Sequence, residues 1–327
     1  MKKFPVVRAS GTNYEVGRAI GESRGGVIKA FLIKNRQIFG SRLPGYLRQS
    51  IGFQKQALKY FPKHMDELRG IADGAGVSFA ELFLSNNREV VDFGIHQPGH
   101  CTIIGIPHRG GYLLGHNEDW DKESLALLYI LDATIAGTRI FGLNYANNII
   151  GASVAVNGYG LAEAVNELYH QDAQMGVPKN FIARAMLDCK TLEKTEELMR
   201  RVPRAAGFNH VLVQADRLWN IESSAKEYVI QKISDLKYVH TNHYLTRLAH
   251  TNLGRKESEI RYRKVKKGLS QIKTISDIKA VLSDRREPPV CRAGTIGSVI
   301  IDFSQAVTYV ACGQPEVNNY YAYNFNS

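Results

Sequence analysis

The stretch His100-Cys101-Thr102-Ile103-Ile104-Gly105-Ile106-Pro107-His108-Arg109-Gly110-Gly111-Tyr112-Leu113-Leu114-Gly115-His116-Asn117-Glu118-Asp119-Trp120 decides how this chain is read. Two apolar runs flank His108-Arg109-Gly110-Gly111, which has the chemistry of a hairpin loop. With those four residues as the loop, Pro107 faces Tyr112. Counting outward, Thr102 then faces Asn117 and Cys101 faces Glu118, with Asp119 one step further on. Side chains opposite one another on paired strands lie about 5 Å apart, so a carboxylate beside the Cys101 thiol follows from spacing alone. A lone cysteine is most often a small buried core residue, and that reading stands beside the reactive one.

The period of the chain changes at this stretch. Before it the pattern is mostly helical, over Tyr14–Ile33 despite four glycines, over Phe53–Ile71, and from Phe79 towards Val91 behind a capping box at Ser78 and Glu81. After it short strands alternate with helices. Strands are expected at 126–135, 138–143, 149–156, 161–166, 209–215, 218–223, 227–233, 297–303, 307–311 and 320–326. Helices are expected at 180–188, at 191–202 behind Thr191, and at 276–282 behind Ser276. This is an α+β chain with layered sheets. The basic run Arg247–Lys267 reads as a solvated face.

Composition narrows the function classes. The chain has 327 residues, 44% of them hydrophobic, so it can bury a large core and is not disordered. Its 29 Gly and 10 Pro follow no collagen period. No apolar run is long enough to span a bilayer, and the start lacks the apolar stretch of a signal peptide. Four cysteines without a CxxC pair indicate neither a disulfide framework nor a structural zinc site, and a cytoplasmic protein is expected. His96, His100, His108 and His116 lie near Cys101, but their spacing matches no zinc pattern, so no metal is expected. The net charge of +11 is read as a basic surface, because no nucleic-acid motif accompanies it. No nucleotide fingerprint is present, and no cofactor is expected.

Cys101-Thr102 opening a strand, with Gly115-His116-Asn117-Glu118-Asp119 closing its partner, resembles the acyl-coenzyme A:6-aminopenicillanic acid acyltransferase family. That family is peptidase family C45 of the N-terminal nucleophile hydrolases, related to penicillin V acylase and bile salt hydrolase. The resemblance extends to Gly11–Gly17, Glu67–Val77, Asn157–Ala162, His240–Tyr244 and the C-terminal strands around Asp302 and Gly313-Gln314-Pro315. It implies a four-layer αββα sandwich, with residues 1–100 a helical pro-segment packed on a catalytic domain of residues 101–327. It implies self-cleavage at His100–Cys101, where the family often has Gly before the nucleophile. It also implies amide hydrolysis or acyl transfer through an acyl-Cys101 thioester.

In this likeness Asp119 holds the new amino terminus or thiol. Asn242 donates its amide N–H to the oxyanion, and Arg292 is the cation that lowers the thiol pKa. Asn157 binds the substrate amide and Asn117 supports the hairpin end. The partners implied are a small acyl amide or thioester (a coenzyme A thioester among them as co-substrate), the chain's own pro-segment, and a second copy in a homo-oligomer. Two other readings stay open. One is a thiol hydrolase that never cuts itself, pairing Cys101 with His100, or in papain fashion with His210 or His240 and Asn242. The other is a non-enzymatic protein binding anionic ligands.

Overall fold

The hairpin carrying Cys101 lies inside a sheet rather than on a surface. In the computed structural model, residues 3–87, 101–253 and 256–325 are described. Strands β2 (Thr102–His108) and β3 (Gly111–Asp119) pair with Thr102 opposite Asn117 and Pro107 opposite Tyr112, the register counted from the loop. The turn is tighter than the expected four residues. Arg109 and Gly110 both take positive φ (49° and 75°), and His108 already pairs with Gly111. This is the twist a two-residue hairpin needs.

Two sheets face each other. The six-stranded sheet has the order β11-β2-β3-β12-β13-β14, with β11 at Tyr238–His240, β12 at Thr295–Asp302, β13 at Val307–Cys312 and β14 at Tyr321–Asn324. The eight-stranded sheet has the order β1-β4-β5-β6-β7-β8-β9-β10. Its strands are β1 (Val6–Gly11), β4 (Leu128–Ile135), β5 (Thr138–Tyr145), β6 (Val154–Asn157), β7 (Leu161–Asn166), β8 (Phe208–Gln214), β9 (Arg217–Ser223) and β10 (Tyr228–Ser234). Ile103, Leu114 and Val299 of one sheet meet Leu143, Val154 and Val211 of the other in a shared apolar layer.

Helices cover both outer faces. On the eight-stranded sheet lie α1 (Asn13–Phe39), α2 (Leu43–Tyr60), α3 (Pro62–Ala75), α4 (Phe79–Ser85), α5 (Lys179–Met186) and α6 (Leu192–Arg201). On the six-stranded sheet lie α7 (Lys256–Gly268) and α8 (Ile275–Leu282). The result is the four-layer αββα sandwich.

The N-terminal segment differs from expectation in one respect. It is not only a helical cap: β1 pairs in parallel with β4, Val6 opposite Ile130 through Gly11 opposite Ile135. Val16, Ile20, Leu68 and Ile71 share one core with Leu131, Phe181 and Met186. The expected helix over Phe53–Ile71 is two helices, because Pro62 opens α3 and cannot continue α2. Helix α1 outruns its expected end in spite of its glycines, and the packing explains why. A Cβ on Gly17 would fall 2.0 Å from the Glu67 carbonyl oxygen, and one on Gly70 would fall 2.1 Å from that of Tyr14. The glycines are where α1 and α3 touch backbone to backbone. Ser78 caps α4 by accepting the Glu81 amide, whereas the Glu81 carboxylate pairs with Arg36 instead of closing the box. Helix α8 begins one residue early, at Ile275, behind a Thr274–Asp277 capping box rather than Ser276. No helix among the described residues is long and apolar enough to cross a membrane.

Candidate active site

Cys101 stands immediately before β2 and is buried. Its backbone N–H donates to Asn242 Oδ1 at 2.7 Å, and its carbonyl accepts from Arg261 Nη2 at 3.1 Å. Its Sγ lies 3.6 Å from Glu118 Oε1, the neighbour that the hairpin register requires. The Asp119 backbone N–H also points at the sulfur. Burial first, then the fields of Glu118 and Asp119, push the thiol well above its usual range; the Asp119 amide and Arg261 pull the other way. The resting group is a thiol, and attack requires a base.

Asn242 lies just after β11, which pairs with β2 and so brings the asparagine beside Cys101. Its carboxamide presents oxygen to Cys101. Oδ1 accepts from the Cys101 amide and, at 2.7 Å, from Arg261 Nη2; Nδ2 donates to the Glu167 carbonyl at 3.2 Å. One of the two Nδ2 hydrogens of Asn242 is thus engaged by the Glu167 carbonyl. Arg261 projects from α7, on a buried stripe with Ser258 and Val265, and Ser258 Oγ accepts the Asn242 amide at 2.7 Å. The Nε and Nη1 of Arg261 are buried and have no partner among the described residues. A buried guanidinium with free donors costs stability unless something negative comes to it.

Asp119 closes β3. Thr295 Oγ1 donates to its Oδ1 at 2.6 Å, while Oδ2 is buried and unpartnered among the described residues. Burial raises this carboxyl to about 6, against the fields of Arg261 and Arg292 and the Thr295 hydrogen bond. Arg292 lies in the loop before β12, held by its N–H to Thr295 Oγ1 at 2.8 Å and by Gln314 on its carbonyl. Its charge acts on Asp119 and Arg261; the cation whose field reaches the thiol is Arg261.

Adjacent residues of a strand face opposite ways, so Glu118 points into the space between the sheets. Tyr145 donates to its Oε1 at 3.0 Å, Ser153 donates to Oε2, and His116 Nε2 lies 3.1 Å from Oε2. Cys101, His116 and Glu118 place three metal-ligand atoms within 4.8 Å of one another. Each is already engaged in this hydrogen-bonded set, and the sulfur is held as a thiol.

The remaining expected residues make hydrogen bonds within the fold. Asn157 spends both amide hydrogens on the Leu187 and Cys189 carbonyls (3.0 and 2.8 Å), and its oxygen accepts from Tyr159 and Leu161. It fixes the β6–β7 turn against the end of α5 and keeps no donor for a substrate. Asn117 ties β3 to α8 through the Leu282 carbonyl at 2.8 Å. His210 pairs with Glu163 at 2.6 Å; burial holds this histidine neutral, down at about 3, and the Glu163 carboxyl well above its usual range. His240 is held between Asn166 and Glu222. Neither histidine hydrogen-bonds Cys101, which removes the support for a papain-type pair. His100 lies outside the described residues. Arg261, Tyr145 and Ser153 were not legible as site residues. The only signal for Arg261 is the i, i+3, i+7 spacing of Ser258, Arg261 and Val265 within a run dominated by charge.

Residues 108–317 match the acyl-coenzyme A:6-aminopenicillanic acid acyl-transferase family, a span that includes Asp119, Asn242, Arg261 and Arg292. The chain is similar to the β-alanyl-dopamine/carcinine hydrolase of Drosophila melanogaster, 30% identical over 60% of this chain and 57% of that protein. It is 26% identical to the 40 kDa form of acyl-coenzyme A:6-aminopenicillanic-acid-acyltransferase of Emericella nidulans, over 73% of this chain and 69% of that protein. The match thus spans little more than half of the Drosophila protein. Among solved structures, a Caenorhabditis elegans ortholog of N-acylethanolamine-hydrolyzing acid amidase is similar at 15% identity, with a TM-score of 0.48 over 62% of this chain and 92% of that one. With nearly two thirds of its length matched, this chain belongs to the acyl-coenzyme A:6-aminopenicillanic acid acyltransferase family.

Proposed function

We propose that the protein is a cysteine amidohydrolase or acyltransferase that makes its own nucleophile by cutting the His100–Cys101 bond. The supporting observation is the pairing of the Cys101 N–H with Asn242 Oδ1 at 2.7 Å, beside a buried thiol. In the uncut chain that nitrogen is an amide. The thiol attacks the His100 carbonyl, the acyl group moves from nitrogen to sulfur, and the thiol proton ends on the nitrogen. Water then cleaves the thioester, releasing a carboxyl group on His100 and the free thiol.

The new α-amine of Cys101 is held by Asn242 Oδ1 and titrates near ~7.7–8.0 in the absence of perturbation. It takes the thiol proton as sulfur attacks the carbonyl carbon of a small acyl amide, and returns it to the leaving amine. Arg261 offers its free donors to the negative charge that develops, and Asp119 holds the cationic side of the site in place. Water accepting the acyl group completes hydrolysis; an amine accepting it completes transfer, with a coenzyme A thioester as a possible acyl source. Residues 1–100 serve as the pro-segment and remain as the small chain. We read it further as a cytoplasmic homo-oligomer that takes no nucleic acid as a partner.

The test is an intact-mass spectrum with N-terminal sequencing, beside the Cys101→Ala variant. Two chains, the larger starting Cys-Thr-Ile-Ile, with an uncut and inactive variant, support the reading. A wild-type chain that stays whole while hydrolysing amides, or an active Cys101→Ala variant, overturns it.

A further inference from the structure

A cavity of about 790 Å³ lies in the helical layer over the eight-stranded sheet, between helices that precede Cys101 in the sequence and helices that follow it. Phe61 and His64, at the junction of α2 and α3, line one side; Ala185 of α5 and Leu198 of α6 line the other. All four are buried. None of Cys101, Glu118, Asp119, Asn242 and Arg261 borders the cavity. Its volume is that of a pocket for a small organic molecule, and its inner lining is apolar and aromatic.

The mouth is basic. Lys63, Lys190, Lys194 and Arg201 border the cavity and are exposed, against two carboxylates, Asp188 and Glu197. Both carboxylates are already engaged. Asp188 accepts from Arg184 Nη1 at 2.6 Å and faces His64 Nε2 at 2.8 Å. Burial raises its carboxyl, but Arg184 and then His64 outweigh burial and hold it well below the usual carboxylate range. Glu197 accepts from Lys194 at 2.8 Å. Lys63, Lys190 and Arg201 have no carboxylate partner among the described residues; the Lys190 ammonium sits over the Tyr159 ring at 5.4 Å. Lys194, Leu198 and Arg201 follow one face of α6, which sets apolar and cationic groups side by side.

His64 adds an unmet polar atom. Its ring stacks on Phe61 with centroids 5.2 Å apart, and Nε2 is committed to Asp188. Its Nδ1 is buried with no partner among the described residues. An anionic oxygen that reaches Nδ1 gives the doubly protonated ring an acceptor there. Cys189 also borders the cavity. Burial first, then the fields of Asp188, Glu163 and Glu197, push its thiol up to about 12 against Arg201, so that thiol is no nucleophile. The cavity is equipped to bind and not to react.

We propose that this cavity is a second binding site, separate from Cys101, for a small organic anion with an aromatic or alkyl body. The body fills the space between Phe61, Ala185 and Leu198, and the anionic group meets Lys63, Lys190 and Arg201. Because its two sides come from opposite sides of the His100–Cys101 bond, the ligand clasps the N-terminal segment to the rest of the chain.

The experiment uses two probes with the same rings, 8-anilinonaphthalene-1-sulfonate and the uncharged N-phenyl-1-naphthylamine, titrated by fluorescence on the full-length protein. The sulfonate is expected to bind about tenfold more tightly or better. Replacing Lys63, Lys190 and Arg201 together by Met keeps the exposed stems and removes three charges. That variant is expected to bind the two probes within about threefold of each other. A control variant with Met at Lys122, Lys266 and Lys267, which are exposed and do not border the cavity, loses the same net charge and is expected to keep the preference. Equal binding of the two probes by the wild type overturns the proposal. So does a preference that survives in the cavity variant, or one lost equally in the control. Cys101→Ala is expected to bind the sulfonate as the wild type does; loss of binding there would put the probe at the nucleophile and overturn the proposal. The cavity does not depend on the cut, so a chain that stays whole counts against the proposed function alone.

Discussion

Arg261 Nη2 lies 2.7 Å from Asn242 Oδ1 and 3.1 Å from the Cys101 carbonyl oxygen, so one guanidinium ties the residue that holds the Cys101 nitrogen to Cys101 itself. Arg261→Met keeps the buried aliphatic bulk and removes the charge and the bridge. We expect kcat to fall by about 10²–10³, the range for a lost oxyanion donor, with a smaller change in KM. Arg261→Lys is expected to recover only part, since an ammonium can bridge the two oxygens but lacks the further Nε and Nη1 donors of the guanidinium. Steady-state kinetics on matured protein checks this, and a rise in KM at constant kcat would return Arg261 to a purely binding role.

The Asp119 carboxyl, raised to about 6, gives opposite pH dependences to activity and stability. Its folded pKa exceeds the unfolded value of about 3.9. Its contribution to stability is therefore full below pH ~3.9 and is lost as pH rises through about 6. The ionised form needed to balance Arg261 and Arg292 appears over that same interval. The rate profile is expected to show a rising limb centred near pH 6, absent in Asp119→Asn. Unfolding curves for that variant are expected to lack the corresponding decline. A rising limb that survives in Asp119→Asn assigns it to another group.

The α1–α3 contact is tested by two glycines in one helix. A Cβ at Gly17 meets the Glu67 carbonyl oxygen at 2.0 Å, whereas one at Gly26 meets nothing within 4 Å. Gly17→Ala is expected to destabilise by about 3 kcal/mol or more, because backbone must move. Gly26→Ala is expected to stabilise by about 0.4–1 kcal/mol through helix propensity and unfolded-state entropy. Chemical denaturation of the two variants separates them by sign.

Asn157→Ala removes the partners of two carbonyls and two amides at the β6–β7 turn. A loss of about 1–3 kcal/mol in stability is expected, with KM close to the wild-type value. A raised KM at unchanged melting temperature would restore the substrate-binding role that the sequence suggested.

What was legible in the sequence was local. The β2–β3 register could be counted because a Gly-containing turn fixes which residues oppose, and this placed Glu118 against Cys101 before any coordinates. Strand β1 was hidden because Val6–Gly11 is a short edge segment whose partner, β4, lies more than a hundred residues away. The glycines of α1 argue against a helix by propensity, and only the helix packed against them explains their presence. Tyr145 at the end of β5 and Ser153 just before β6 reach the site from across the two-sheet interface, so no spacing announces them. Arg261 sits in a segment whose charge reads as solvated, although its side chain is buried beneath α7. The type of Asn242 was readable, but which end of its amide meets Cys101 was not, since that is set by Arg261 and Glu167.

The strand β1, parallel to β4 and continuous with helices that share the main core, gives the proposed cut an unusual meaning. Hydrolysis between His100 and Cys101 is then a nick rather than a release. The excised length stays woven into the edge of the catalytic sheet, and dilution has no pathway to separate it short of global unfolding. Before the nick, folding is unimolecular; after it, recovery from denaturant requires two chains to find each other and becomes second order in protein. The covalent connection would serve as an assembly tether used once, and the matured enzyme would persist through the height of its unfolding barrier rather than through its capacity to refold.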